Sequence, residues 1–213
     1  MRKVTSLFVL LVATSLYAQK ISVSVVDELY ANKDVSRGLK DLYGFLGVNY
    51  YTATFEMPDT NKHDVVLVMR SVFMDSVPAI DTLWDSSTLR KKIVGGFPWD
   101  PKNGASFMAR RTDSLHYELL FNVGRSSRRT ITLTNANTSY MLDEGLRSMG
   151  KAVTMELGKP MPIMVLTQPY PDPPPPQEVK IYRYCFGADV PPDQWPTVFG
   201  VPHLYIFELT VLP

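Results

Sequence analysis

The sequence predicts an α+β fold built on a largely antiparallel sheet of about nine strands with two or three helices. Three observations lead there. Short apolar segments with a period of two, Ile21 to Val26 first among them, outnumber segments with helical spacing. They fall in runs instead of alternating with helices, which argues against a parallel α/β sheet. Turn-forming residues, drawn from 12 Gly and 17 Pro, punctuate them at short intervals. A β-sandwich with helical insertions is the alternative that fits the same pattern.

The chain opens with Arg2 and Lys3, continues with the apolar run Leu7 to Leu16, and reaches Tyr17-Ala18 before Gln19. That order is the order of a secretory signal peptide, and the apolar run is about half the roughly 20 residues that a membrane-crossing helix needs. The Tyr-Ala-Gln junction resembles those of Gram-negative envelope proteins. Residues 1–18 are therefore expected to be a leader, and residues 19–213 a single compact domain that is periplasmic, on the outer surface or extracellular. No cysteine adjoins the junction, so no thiol stands ready for a lipid anchor.

Ile21 to Val26 sets Ile and Val against Ser and reads as the first strand. Asp34 is a good N-cap, Val35, Leu39, Leu42 and Leu46 recur at helical spacing, and Gly47 follows. A helix with a buried leucine stripe is expected, although Gly38 and Gly44 each weaken it by up to about 1 kcal/mol relative to Ala. Val48 to Met57 places Tyr51, Ala53, Phe55 and Met57 on one face, and Asp64 to Met74 is rich in Val. With the polar loop Pro58 to His63 between them, the two segments read as a hairpin. From Val77 to Gly104 the pattern is less regular. One short helix is read over Ser86 to Val94, behind Asp85 and before Gly95-Gly96, with Trp84 as a packing residue. Phe97-Pro98-Trp99-Asp100-Pro101 reads as a surface loop or a plug over the core.

Ala105 to Arg111, Leu115 to Asn122 and Arg129 to Thr134 then make an antiparallel meander. A second helix is expected over Ser139 to Leu157, with Leu142, Leu146, Met149, Val153 and Leu157 as its stripe, stopped by Gly158 and Pro160. Met161 to Thr167 reads as a buried strand, and Pro169 to Pro176 as an extended connector. Val179 to Phe186 and His203 to Leu212 supply the last strands. In the final one Tyr205, Phe207, Leu209 and Val211 share a face, which predicts that it is paired inside a sheet.

Composition narrows the function. The chain has 22 Lys plus Arg, and losing Arg2 and Lys3 with the leader leaves 20 against 21 Asp plus Glu, a net charge of −1. Near-neutrality argues against nucleic acid, which needs a basic face to displace counterions, and against a polybasic membrane patch. No transmembrane segment is expected after residue 18, and the 17 prolines argue against a closed membrane barrel. The single cysteine, Cys185, has no internal partner and reads as a buried thiol.

Simple catalytic templates are absent. His63, His116 and His203 lack paired-ligand spacing, no serine sits in a G-x-S-x-G elbow, and Gly95-Gly96 lacks the Lys-Ser/Thr of a phosphate loop. His63-Asp64 reads as a solvated turn pair. No cofactor or metal is implied. Two binding features stand out instead. Arg125, Arg128 and Arg129, beside Arg110 and Arg111, offer forked donors to anionic groups. Trp99, Trp195 and Tyr170 lie in Pro-rich loops where flat rings could receive a sugar. The function expected is an exported, non-enzymatic envelope protein that binds a partner protein or a surface glycan. The alternative is a secreted hydrolase, glycan- or peptide-directed, with a site assembled from distant residues.

Overall fold

Period-two burial organises the chain. In the computed structural model, which describes residues 20–57, 63–74, 77–88, 99–134, 140–146, 151–168 and 190–213, eleven strands, three α-helices and the start of a further helix at 86–88 are found. The leader, Tyr170, Cys185, the connector 169–176 and the strand expected over 179–186 lie outside the described residues. Strands β1 (Lys20–Asp27), β2 (Val48–Glu56), β5 (Ala105–Arg111), β6 (His116–Asn122), β7 (Ser126–Thr132) and β9 (Val153–Glu156) form one antiparallel sheet in the order β7-β6-β5-β2-β1-β9. A second antiparallel sheet runs β4-β3-β11-β10-β8, from β3 (Val65–Phe73), β4 (Ala79–Asp85), β8 (Met141–Glu144), β10 (Met161–Thr167) and β11 (His203–Val211).

Alternation decides which face each strand turns inward. Ile21, Val23 and Val25 of β1, Tyr51, Ala53 and Phe55 of β2, and Phe107, Leu119 and Phe121 of β5 and β6 are buried, while their neighbours face out. Across the core they meet Val65, Leu67, Ile163, Phe207, Leu209 and Val211 of the second sheet in one continuous cluster. The second sheet is covered on its other side too. Trp195 and Val201 pack on Val72, Val165, Leu204 and Ile206, beside the short helix α3 (Trp195–Phe199). Burial on both faces explains why β10 and β11 read as near-continuous apolar runs. No helix among the described residues is long and apolar enough to cross a membrane.

The largely antiparallel architecture, the β5–β7 meander and the paired final strand stand as expected; β11 lies between β3 and β10. Several local expectations do not. The hairpin of 48–57 with 64–74 is split: β2 pairs β1 and β5, whereas β3 pairs β4 and β11 in the other sheet. Their apolar faces oppose each other across the core, which buries both more fully than pairing side by side would.

The helix expected over 139–157 is two strands, β8 in one sheet and β9 in the other. Gly145 shows why. A side chain there would approach the Pro162 carbonyl oxygen to 2.6 Å, so only Gly lets β8 run against β10. The leucine-rich helix α2 (Arg37–Phe45) does form, but Ser36 caps it, its hydroxyl accepting from Leu39 N–H at 3.3 Å, in place of Asp34. Gly47 follows with φ of 61°, in the left-handed region. No α2 residue is buried, and Leu39, Leu42, Phe45 and Leu46 are exposed, contrary to the expected buried stripe. A one-turn helix, α1 (Glu28–Ala31), precedes it, capped by Asp27.

Trp84 belongs to strand β4, in a stretch where the sequence offered only a helix. That helix begins at 86–88, capped by Asp85, whose carboxylate accepts from Ser87 N–H at 2.9 Å; the rest of it lies outside the described residues. His63 and Asp64 are buried, not solvated. His63 Nδ1 lies 3.0 Å from the Leu212 carbonyl, Leu212 N–H donates to the Asp64 carbonyl at 2.8 Å, and Ser86 donates to the Asp64 carboxylate. Together they fasten the end of β11 to the start of β3.

Candidate functional site

The expected aromatic shelf is not on the surface. Trp99 is fully buried, edge-on to Phe55 at 4.8 Å, and donates its indole N–H to the Gly104 carbonyl at 3.0 Å. Of the loop expected over 97–101, residues 97 and 98 lie outside the described residues, and Trp99 itself packs into the core. Trp195 is equally buried and donates to the Val190 carbonyl at 2.9 Å. Neither ring offers a face to a sugar. Beside Trp195, Pro196 is buried with it. Tyr170 lies outside the described residues.

The arginines do come together, by strand register. Arg110 of β5 pairs with Glu118 of β6, and Thr130 of β7 continues the row, so all three side chains turn outward. Glu118 accepts from Arg110 at 2.9 Å on one oxygen and from Arg128 of β7 at 3.1 Å on the other. One carboxylate shared between two guanidiniums leaves an excess positive charge on this face. Arg111 turns to the β5–β6 turn, donating to the Asp113 carbonyl at 2.9 Å. Arg125 and Arg129 are exposed and have no carboxylate partner among the described residues.

Beneath the Arg110–Glu118–Arg128 row lies a groove of about 260 Å³, with Val48, Met108 and Leu120 among its lining residues and Tyr43 of α2 at its side. The same helix presents Leu42 and Phe45 to solvent, the latter 88% exposed. An exposed apolar helix beside an apolar groove with a charged rim is the arrangement of an interaction surface. Sequence reasoning found the arginines but missed Glu118, Met108 and Leu120, whose common face appears only once the strand register is known.

A second concavity, of about 420 Å³, opens where β1 meets β8 and is lined by Asp27, Asp143, Glu144, Tyr51, Val25 and Ala31 among others. Asp27 accepts from Leu29 N–H at 2.9 Å and Tyr30 N–H at 3.3 Å, yet burial outweighs these bonds and pushes its carboxyl above the usual range. Tyr51 donates to the Leu142 carbonyl, and burial followed by the charges of Asp143 and Asp27 drives its hydroxyl well above the ordinary phenol range. Carboxylates from segments more than a hundred residues apart thus face one space.

The histidines do not assemble with one another. His116 pairs with Asp113 at 2.9 Å on the surface. His203 is buried in a hydroxyl network, with Ser71 at 2.8 Å from Nε2 and Tyr140 and Thr134 at 2.8 and 3.1 Å from Nδ1. Gln168 donates to the Tyr140 hydroxyl at 2.8 Å, closing the network. Among the described residues no group of His, Cys, Asp and Glu is placed to hold a metal ion. Comparison with known protein families, curated proteins and solved structures finds no match to this chain.

Proposed function

We propose that the protein is an exported, non-enzymatic binding protein of the cell envelope that receives a partner protein on the outer face of its six-stranded sheet. The groove beside α2 carries this reading: apolar residues of β2, β5 and β6, a charged rim of Arg110, Glu118 and Arg128, and a helix with its leucines half-exposed and Phe45 open to solvent. Its volume lies below the roughly 300–1,000 Å³ of sites that enclose small ligands, and suits one or two side chains of a larger partner. The burial of Trp99 and Trp195 weighs for a protein over a glycan. Export is supported by the leader pattern of residues 1–18, beyond which β1 begins at Lys20.

Photo-crosslinking in the native host, from benzoylphenylalanine placed at Phe45 or Leu120, tests it. The expected product is a protease-sensitive adduct with one protein, lost with Arg128→Glu and with Leu42→Ser. An adduct sensitive only to glycosidases would transfer the reading to a glycan. Absence of any specific adduct would overturn it.

A second reading, a secreted hydrolase acting on glycan or peptide, is favoured by the cavity at Asp27. A carboxyl whose pKa burial pushes upward is suited to give a proton to a leaving group, with Asp143 or Glu144 as the base. Turnover in a hydrolase screen that disappears with Asp27→Asn would select this reading.

A further inference from the structure

We infer that strand β7 is a docking edge that takes an acidic, extended segment of a partner protein as an added strand of the six-stranded sheet. The inference rests on the proposed partner-binding function and specifies what that partner presents. The sheet edges among the described residues differ in their capacity to pair. Strands β8 and β9 are four residues long, and β4 meets β3 across a register break between Leu67 and Val68. Strand β7 runs seven residues in unbroken register, from Asn122↔Ser126 to His116↔Thr132, and contains no proline. Short length, bulges, proline and charge are the usual means of blunting an edge, and β7 uses only the last, through Arg128 and Arg129. At one end the Thr132 carbonyl is taken by the Tyr205 hydroxyl at 2.7 Å, so the span open to pairing is 126–131.

Charge selects the occupant. Arg128 lies opposite Leu120 on the outer face, and Arg129 opposite Leu119 on the other. A second β7 laid alongside would bring arginine against arginine, and like charges across paired strands are destabilising. An acidic strand meets a guanidinium on either face, with Arg125 adding a third at the turn. Glu118 neutralises this edge only in part, because it serves Arg110 as well as Arg128 and reaches neither Arg125 nor Arg129. Arg128 and Leu120 also line the groove, so an added strand lies beside it and can seat a side chain there. Main-chain bonds along β7 would supply affinity, and the arginines specificity, as in other strand-addition complexes.

The test uses the full chain purified from the envelope and a blocked, fluorescent peptide of alternating Thr and Glu, about eight residues long. Anisotropy titration is expected to show binding that weakens by about tenfold or more when Lys replaces Glu in the peptide, or when Arg125→Glu and Arg129→Glu are combined in the protein. Methylating alternate backbone nitrogens of the peptide keeps every charge and is expected to abolish binding. Amide exchange over residues 126–131 should slow when the unmethylated peptide binds. Equal binding of methylated and unmethylated peptide, or slowing at Val48 and Met108 in place of β7, overturns strand addition. No peptide binding by a chain that still cross-links a partner from position 45 overturns this inference alone. Peptide binding without any cross-linked partner supports the edge and counts against the groove.

Discussion

At the scale of single residues, His203 and Asp27 carry opposite pH dependences. Burial, with Phe73 stacked on the ring at 4.0 Å and only hydroxyls as hydrogen-bond partners, pulls the His203 pKa down from 6.5 to about 4. Between those values the unfolded chain binds a proton that the folded chain refuses, so stability falls as pH drops from 6.5 toward about 4. His203→Gln keeps hydrogen-bonding capacity without titrating. Urea midpoints measured from pH 7 to pH 4 are expected to fall less steeply for the variant than for the wild type.

Asp27 runs the other way, since its folded pKa lies above its unfolded value of 3.8. The folded state then favours the protonated form, and this contribution is lost as pH rises. Asn caps a helix as well as Asp and carries no charge. Asp27→Asn is therefore expected to raise the urea midpoint at pH 7, with the gain vanishing below the carboxyl range. A native residue that costs stability in this way is the kind that function retains.

At the scale of elements, α2 and β11 separate binding from folding. Leu42→Ser removes an exposed side chain and is expected to change stability by no more than about 0.5 kcal/mol. Phe207→Ala, in the middle strand of the five-stranded sheet, is expected to cost about 3–5 kcal/mol, as does truncating other buried aromatics. Denaturant titration of the two variants checks both, and a chain ending at Pro202 is expected to show no cooperative transition. These elements also show what local sequence can encode. The β5–β6 turn is legible because Asp113 writes it locally, accepting from Leu115 N–H and His116 N–H. The leucine period of α2 gave the helix correctly, but amphipathicity does not state whether the apolar side has a partner. Gly145 and Gly150 were the available signal against a helix over 139–157, each costing about 1 kcal/mol in a helix interior.

At the scale of the whole molecule, the information missing from the sequence was the assignment of strands to sheets. Tyr51 and Leu67 look alike as inward residues of neighbouring strands, whether those strands pair or face each other across a core. The site suffered the same way. Arg125, Arg128 and Arg129 are legible as a charge cluster, whereas Glu118 acquires its place between two arginines only through pairing of β5, β6 and β7. Pairing of β1 with β9 and of β3 with β11 joins residues more than a hundred positions apart. Such long-range pairing is expected to set folding in the millisecond-to-second range, with a further phase of tens of seconds from the 17 prolines. Stopped-flow refolding should show that slow phase accelerated by a prolyl isomerase, and the fast phase unaffected.

The place of β11 sets an order of events in the cell. Until residues 203–211 have left the ribosome, the five-stranded sheet lacks its middle strand, and β3–β4 and β10–β8 have nothing to join them. Their inner faces, and with them the inner face of the six-stranded sheet, stay uncovered until β11 joins them. A nascent chain in that state exposes apolar faces to holding chaperones, and under the export proposed above, late closure of the sheet would keep it threadable through a channel that admits only unfolded polypeptide.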